Sequence, residues 1–276
     1  MSENMVQDIL RADQALVQRG LAASRERAQD LIANGLVYAN GKQINKPAQK
    51  IAAEDRIEVR GESCPYVSRG GFKLEKALKA FSADVRNKIC VDIGASTGGF
   101  TDVLLQNGAK HVYAVDVGTG QLDPKIENDP RVTKMEQTNA RTLTAEDFPL
   151  RPEIAVMDVS FISIEKILPA LKEVLGENGR LISLIKPQFE AGKAALGKKG
   201  VISKPETHEK VLRDLCANAA VLGWGLRSID FSPISGTQGN TEFLGDFIID
   251  DGKIPSPDAR QIRDIVKHAH AALKKK

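Results

Sequence analysis

From about residue 72 the chain repeats one pattern, and that pattern restricts the fold more than any other feature. Four short apolar runs, KICVDIG, HVYAVDVG, EIAVMDVS and GRLISLIK, are each about one strand long. Helical stretches such as TDVLLQNG and ISIEKILPALKEVLG lie between several of them. Apolar strands alternating with amphipathic helices cover both faces of a mostly parallel sheet, so the expected fold is α/β and doubly wound. After a further helix, ETHEKVLRDLCANAAVLG, the runs LRSIDFSPI and TEFLGDFIID follow with no crossover helix between them. Strands joined in that way pair antiparallel, which predicts an antiparallel edge strand.

Open sheets of this kind bind ligands beyond the carboxyl ends of their strands. The first strand-loop-helix unit, VDIGASTGGFTDVLL, carries Gly94, Gly98 and Gly99, with Ser96 and Thr97 inside the loop. A dinucleotide fingerprint needs GxGxxG to seat a pyrophosphate on the helix N-terminus. Here the spacing is GxxxGG, with Asp92 two residues before the first glycine. A carboxylate there suits a ligand that has a free ammonium and no pyrophosphate, and S-adenosylmethionine is such a ligand. Asp116 ends HVYAVD, where an acid can hold two ribose hydroxyls. Asn139, in QTNARTL beyond the third strand, is a candidate for the adenine side and equally an ordinary turn asparagine. This layout is that of a class I methyltransferase more than of a dehydrogenase, and the expected cofactor is S-adenosylmethionine.

Charged residues gather at the same edge. In LISLIKPQFE a buried-looking strand ends on Lys186, and Pro187 cannot extend it. An ammonium in that place is costly unless it has partners or a task. Asp158 ends EIAVMD, and Glu242 opens the last strand. SRGGFKLEKALKAF starts a helix whose buried stripe is Leu74, Ala77, Leu78 and Phe81. Lys73 lies near its first turn, where a cation opposes the helix dipole.

Lys73, Asp158, Lys186 and Glu242, in that order, resemble the catalytic Lys-Asp-Lys-Glu tetrad of RNA ribose 2′-O-methyltransferases of the FtsJ type. With YVSRGGFKLEKAL, VDIGASTGGFTD, VDVGTGQL and IKPQFEAG, the chain is similar over nearly its whole length to the TlyA family. The resemblance implies methyl transfer from S-adenosylmethionine to a cytidine ribose in ribosomal RNA, large-subunit RNA foremost and small-subunit RNA in some members. Lys186 would be the base, Asp158 its partner, Lys73 a tuner or ribose clamp and Glu242 an outer support. Lysine is mostly protonated in water; a neighbouring cation and a partly dry site favour its neutral form. The chemistry requires no metal.

The first sixty residues read differently. VQDILRADQALVQRG places Ile9, Ala12, Ala15 and Leu16 at helical spacing. A second helix, SRERAQDLIANG, has Ser24 as N-cap and Gly35 as its stop. LVYANGKQI supplies two strands around an Asn40-Gly41 turn, and DRIEVRG a third. The segment RADQALVQRGLAASRERAQDLIANGLVYANGKQINKP resembles the αL RNA-binding module named after a small-subunit ribosomal protein. That resemblance implies an RNA face on Arg11, Ser24, Arg25, Arg27, Asn40, Gly41 and Lys42. Arg69, in the joint GESCPYVSRGG, and Lys193, Lys198 and Lys199, in the loop after Lys186, are further candidates for phosphate contacts. The expected domains are 1–61, RNA-binding, a linker at 62–70, and 71–276, methyltransferase.

Composition sets the outer limits. The 276 residues carry a net charge of +3, so any basic surface is local. Cys64, Cys90 and Cys216 lack zinc-ligand spacing and fit a reducing compartment. The N-terminus MSENMVQDILRADQ has no apolar core for a signal peptide. No run reaches the roughly 18 apolar residues that a membrane helix needs. A cytoplasmic monomer is expected, with ribosomal RNA or ribosomal subunits as partners and neither DNA nor membrane. His268 and His270, in a polar helix ending in KKK, read as solvated. Two other functions compete. An RNA base N-methyltransferase commonly has a D/N-P-P-aromatic turn, but Asp158-Val159-Ser160-Phe161 lacks both prolines. An RNA-binding assembly factor with an inert methyltransferase fold would need neither cofactor loop nor tetrad.

Overall fold

The computed structural model describes residues 9–22, 24–33, 35–60, 64–192, 196–197, 200–236, 239–250 and 254–273. The chain divides into two compact units, residues 1–69 and 70–276. In the first, strand β1 (Leu10–Arg11) leads into α1 (Ala12–Gln18) and α2 (Arg25–Ala33). β2 (Val37–Ala39), β3 (Lys42–Gln43), β4 (Lys50–Ile51) and β5 (Ile57–Val59) follow. Ser24 caps α2 by accepting from the Arg27 amide at 3.1 Å. Asn40 and Gly41, both at positive φ (49° and 78°), close the β2–β3 hairpin. Val37, Ile44 and Ile51 pack with Leu16, Leu31 and Ile32 into a small core. Ile9 departs from the expected helical stripe: it is 53% exposed and precedes β1, because the chain pairs Leu10 and Arg11 with Ile51 and Lys50 before turning helical.

The second unit opens with α3 (Gly71–Ala80) and continues through β6 (Ile89–Ile93), α4 (Gly99–Gln106), β7 (His111–Val115), α5 (Pro124–Glu127) and β8 (Val132–Met135). Then come β9 (Ile154–Met157), α6 (Leu168–Leu175), β10 (Arg180–Ile185), α7 (Pro187–Glu190), α8 (Pro205–Val221), β11 (Trp224–Phe231), β12 (Phe243–Ile249) and α9 (Ala259–Leu273). Among the described residues, seven strands form one sheet in the order β8-β7-β6-β9-β10-β12-β11. The five from β8 to β10 are parallel, and β12 runs antiparallel to both β10 and β11. The edge therefore closes with antiparallel pairing, as the late strands predict. β8 is too polar to declare itself by pattern: it lies beside β7 with Thr133 and Lys134 exposed.

This topology decides where function can sit. The parallel strands end at one edge, and β12, running the other way, begins there. Glu242 immediately precedes β12, so it reaches the edge that carries Asp158 after β9 and Lys186 after β10. Behind this edge Trp224, Phe243 and Phe247 are fully enclosed with Leu168, Leu171 and Leu181. The Asp246 carboxylate, 1% exposed, ties Arg180 of β10 at 2.8 Å and Arg227 of β11 at 2.6 Å. Among the described residues no helix is long and apolar enough to cross a membrane.

The solvated reading of the C-terminal histidines holds for His268 and fails for His270. α9 turns Ile262, Val266 and Ala269 inward, which brings the His270 Nε2 within 2.9 Å of Nδ1 of the fully buried His208. Burial, and then His270, push His208 down to about 4. The folded chain resists taking up that proton, whereas the unfolded histidine binds it near its ordinary value of about 6.5. Stability is therefore lost as pH falls below that value. Between pH 7.5 and 5, His208→Leu is expected to lose less stability in urea than the parent by about 2 kcal/mol. Equal losses in the two proteins would contradict the buried neutral imidazole.

Candidate active site

Each charged residue at the carboxyl edge is placed by a different element. Lys73 comes from the first turn of α3 and Lys186 stands between β10 and α7. Both are 9% exposed, and Glu242 is 2% exposed. The four groups form a chain of alternating sign. Glu242 Oε2 lies 2.7 Å from Lys73 Nζ, which is 3.8 Å from Asp158 Oδ2. Asp158 Oδ1 then meets Lys186 Nζ at 2.6 Å. The chain explains the odd lysine in the first turn of α3: two carboxylates outweigh the unfavourable dipole. Taking an ion out of water costs several kcal/mol, and each close pair returns about 4 kcal/mol in a partly screened site. The two nearly cancel, so stability alone does not account for the cluster.

Ser160 joins the set from outside the sequence pattern. Lys186 Nζ donates to its Oγ at 2.9 Å, so the amine is oriented by one carboxylate and one hydroxyl. Phe161 follows at positive φ (64°) and is 90% exposed, with its ring centroid 5.0 Å from that of Phe189. Glu190 fixes this loop to α7, accepting from Ser163 Oγ at 2.7 Å and from the Ile164 amide at 3.0 Å. Burial pushes the Glu190 carboxyl up to about 7. A cavity of about 810 Å³ opens between the loop and α7. Its lining includes Lys186, Glu242, Ser160, Phe161, Gln188 and Asn240, and Arg141 and Lys166 add positive charge. The volume lies in the range of small-ligand sites.

The glycine-rich turn stands beside this cluster. Gly94 has φ 80°, and a Cβ there would come within 2.6 Å of the Asp158 carbonyl oxygen, so the turn and the end of β9 touch only because the residue is glycine. At Gly98, φ 90°, a Cβ would meet the Ile126 side chain at 3.0 Å. Gly99 then opens α4. Asp92 is fully buried, with Oδ2 accepting from Thr101 Oγ1 at 2.7 Å and Oδ1 lacking a partner among the described residues. Burial pushes its carboxyl up to about 7, the Asp158 charge adds to the rise, and the Thr101 hydroxyl opposes it. Asp116 accepts from the amides of Ser96 at 2.8 Å and Gly118 at 2.7 Å, which fixes its carboxylate at the end of β7. Thr97 is half-buried in the same turn. Asn139 caps a short 3₁₀ turn by accepting from the Arg141 amide at 3.1 Å, so the asparagine has a local structural task.

In the first unit the basic residues are organised by one acid. Asp13 is fully buried and accepts from Arg11 at 2.9 and 3.1 Å, from Arg25 at 3.1 Å and from Gln29 at 3.0 Å. The Arg11 guanidinium, aided by Gln29 and Arg25, holds that carboxyl well below the usual carboxylate range against the effect of burial. Both arginines keep exposed surface. Arg27 donates to the Cys64 carbonyl at 3.0 Å, Asn40 bonds Asp55 and the Arg56 amide, and Gly41 and Lys42 are exposed. Arg69 is half-buried, whereas Lys193, Lys198 and Lys199 lie outside the described residues.

Comparison with known proteins covers both units. The FtsJ-like methyltransferase model matches residues 66–246 and the S4 domain model residues 10–57. Hemolysin A of Brachyspira hyodysenteriae is 45% identical across 87% of this chain and 100% of its own. The 16S/23S rRNA (cytidine-2′-O)-methyltransferase TlyA of Mycobacterium tuberculosis is 44% identical across 85% of this chain and 88% of its own. A solved structure from Streptococcus thermophilus, provisionally described as a hemolysin, is 46% identical with a TM-score of 0.78, covering 97% of this chain and 98% of that one.

Proposed function

The chain belongs to the TlyA family, in which an S4-type unit is joined to an FtsJ-like methyltransferase, and on that premise we propose that it methylates the ribose 2′-hydroxyl of a cytidine in ribosomal RNA. Large-subunit RNA is the foremost substrate, with small-subunit RNA as the alternative. The observation that carries the proposal is the alternating chain Glu242–Lys73–Asp158–Lys186, which ends on an amine at the wall of a nucleotide-sized cavity.

The residues present fit S-adenosylmethionine as methyl donor. The glycine turn lets a ligand approach the backbone at Gly94 and Gly98, and Asp116 stands where an acid meets ribose hydroxyls. Asp92 Oδ1, which has no hydrogen-bond partner among the described residues, suits an ammonium or a water bound to one. Bound there, S-adenosylmethionine supplies an electrophilic methyl on its sulfonium. The protein's own part is proton management. A ribose hydroxyl becomes an effective nucleophile as its proton leaves, and Lys186 in its neutral form accepts that proton. Asp158 and Ser160 aim Nζ, and the resulting ammonium is stabilised by the same carboxylate at 2.6 Å. Lys73, held by Glu242 at 2.7 Å, faces the other oxygen of Asp158 at 3.8 Å and so helps to fix the carboxylate that aims Lys186. The Arg11 and Arg25 pair in the first unit suits RNA phosphates.

Lys186→Ala is expected to abolish methylation of ribosomal subunits, by at least 100-fold for a lost general base. Its S-adenosylmethionine affinity and its unfolding curve should stay near those of the parent. Activity above one-tenth of the parent's would remove Lys186 from the mechanism. A second outcome concerns Asp92. A ligand ammonium favours the ionised carboxylate, so affinity for S-adenosylmethionine is expected to rise about ten-fold between pH 5.5 and 7, below the cofactor's own amine titration at about 7.7–8.0. Asp92→Asn should bind more weakly and lack this rise in titration calorimetry; an equal rise in the variant would assign it elsewhere.

A further inference from the structure

The helix α7 that follows Lys186 contains a side chain for which the mechanism has no use. Gln188 lines the same cavity as Lys186 and Phe161. Its Oε1 is buried and meets no hydrogen-bond donor among the described residues. An enclosed carbonyl without a donor is costly, and native structures rarely keep one without a reason. The helix that carries it is held firmly. Pro187 fixes its start, Glu190 binds Ser163 and the Ile164 amide across the cavity wall, and Phe189 packs on Phe161. Gln188 therefore sits on a fixed wall, two residues beyond the amine that must reach the ribose.

We infer that Gln188 selects cytosine over uracil at the nucleotide being methylated, its Oε1 accepting from the exocyclic amine of the base. The inference rests on the proposed reaction and extends it from the ribose to the base. Cytosine presents an N4 amino donor where uracil presents the O4 acceptor. With the amide turned as it is in the structure, Oε1 is satisfied by the first and faces another lone pair in the second. A site built to hydrogen-bond one group discriminates strongly against a substrate that cannot supply it, because its own polar atom is then left unpaired. The reaction at the ribose is identical for the two nucleosides, so discrimination between them at one fixed position comes from contacts outside the ribose.

The test uses the full chain, S-adenosylmethionine and ribosomal subunits in which the modified position, mapped first with the parent enzyme, carries either cytidine or uridine. The parent is expected to favour cytidine by at least about ten-fold in kcat/KM. Gln188→Ala should reduce that ratio to below about three-fold, mainly by slowing the cytidine reaction, with S-adenosylmethionine affinity within two-fold of the parent's. Gln188→Glu keeps an acceptor and is expected to keep the preference even if its rate falls on both substrates; the ratio stays readable if the alanine variant folds poorly. A parent that does not discriminate, or an alanine variant with the parent's ratio, overturns the role of Gln188 and leaves ribose methylation standing. Label from the parent anywhere other than a ribose oxygen overturns both.

Discussion

Two lysine ammonium groups withdrawn from water must each find a carboxylate, and the carboxyl edge of the sheet is arranged around that requirement. Asp158 serves both, with Lys186 at 2.6 Å on one oxygen and Lys73 at 3.8 Å on the other. A single carboxylate between two cations would leave excess positive charge, and Glu242 restores the balance at 2.7 Å from Lys73. Glu242 can do so only because β12 is antiparallel and begins where its parallel neighbours end. The strand insertion that ends the fold thus also completes the charge pattern. Gly94 belongs to the same constraint: its missing Cβ lets the glycine-rich turn press against the Asp158 carbonyl, so the turn and the lysine cluster adjoin.

Much of this is legible in the sequence because the relevant residues interrupt strong patterns. Lys186 and Asp158 end apolar strand runs, and Lys73 sits where the helix dipole disfavours it. Each is locally unexplained, and their shared edge follows from the alternating topology. What the sequence hides is whatever depends on side chains meeting across loops. Ser160 looks like a turn serine until its Oγ is found 2.9 Å from Lys186. Phe161 and Gln188 carry no periodic signal, since one is exposed on a loop and the other lies on a helix of four residues. His270 reads as solvent-facing from its polar helix, yet it lies at the flank of the buried stripe and meets His208. Ile9 looks helical because apolar spacing cannot announce that the next two residues will pair as a strand.

The first unit applies the same physical device to a different purpose. Its small core is joined by the buried Asp13, whose carboxylate gathers Arg11, Arg25 and Gln29. Two guanidiniums sharing one carboxylate retain a net positive charge and spare N–H donors, which is what a phosphate contact needs. In each unit an acid gathers basic side chains: the buried Asp13 in the first and the half-buried Asp158 in the second, which the proposed function assigns to RNA contact and to proton transfer. The modest net charge of +3 agrees with local basic sites rather than a uniformly basic surface.

The proposed function requires that Lys186 serve a ribose hydroxyl. The most direct measurement incubates unmethylated ribosomal subunits with the protein and methyl-labelled S-adenosylmethionine, then hydrolyses the RNA in alkali. A 2′-O-methyl group blocks cleavage at the next phosphate, so label is expected in an alkali-stable dinucleotide that contains cytidine. Label in mononucleotides would mean that a base was methylated, and the role given to the lysines would be wrong.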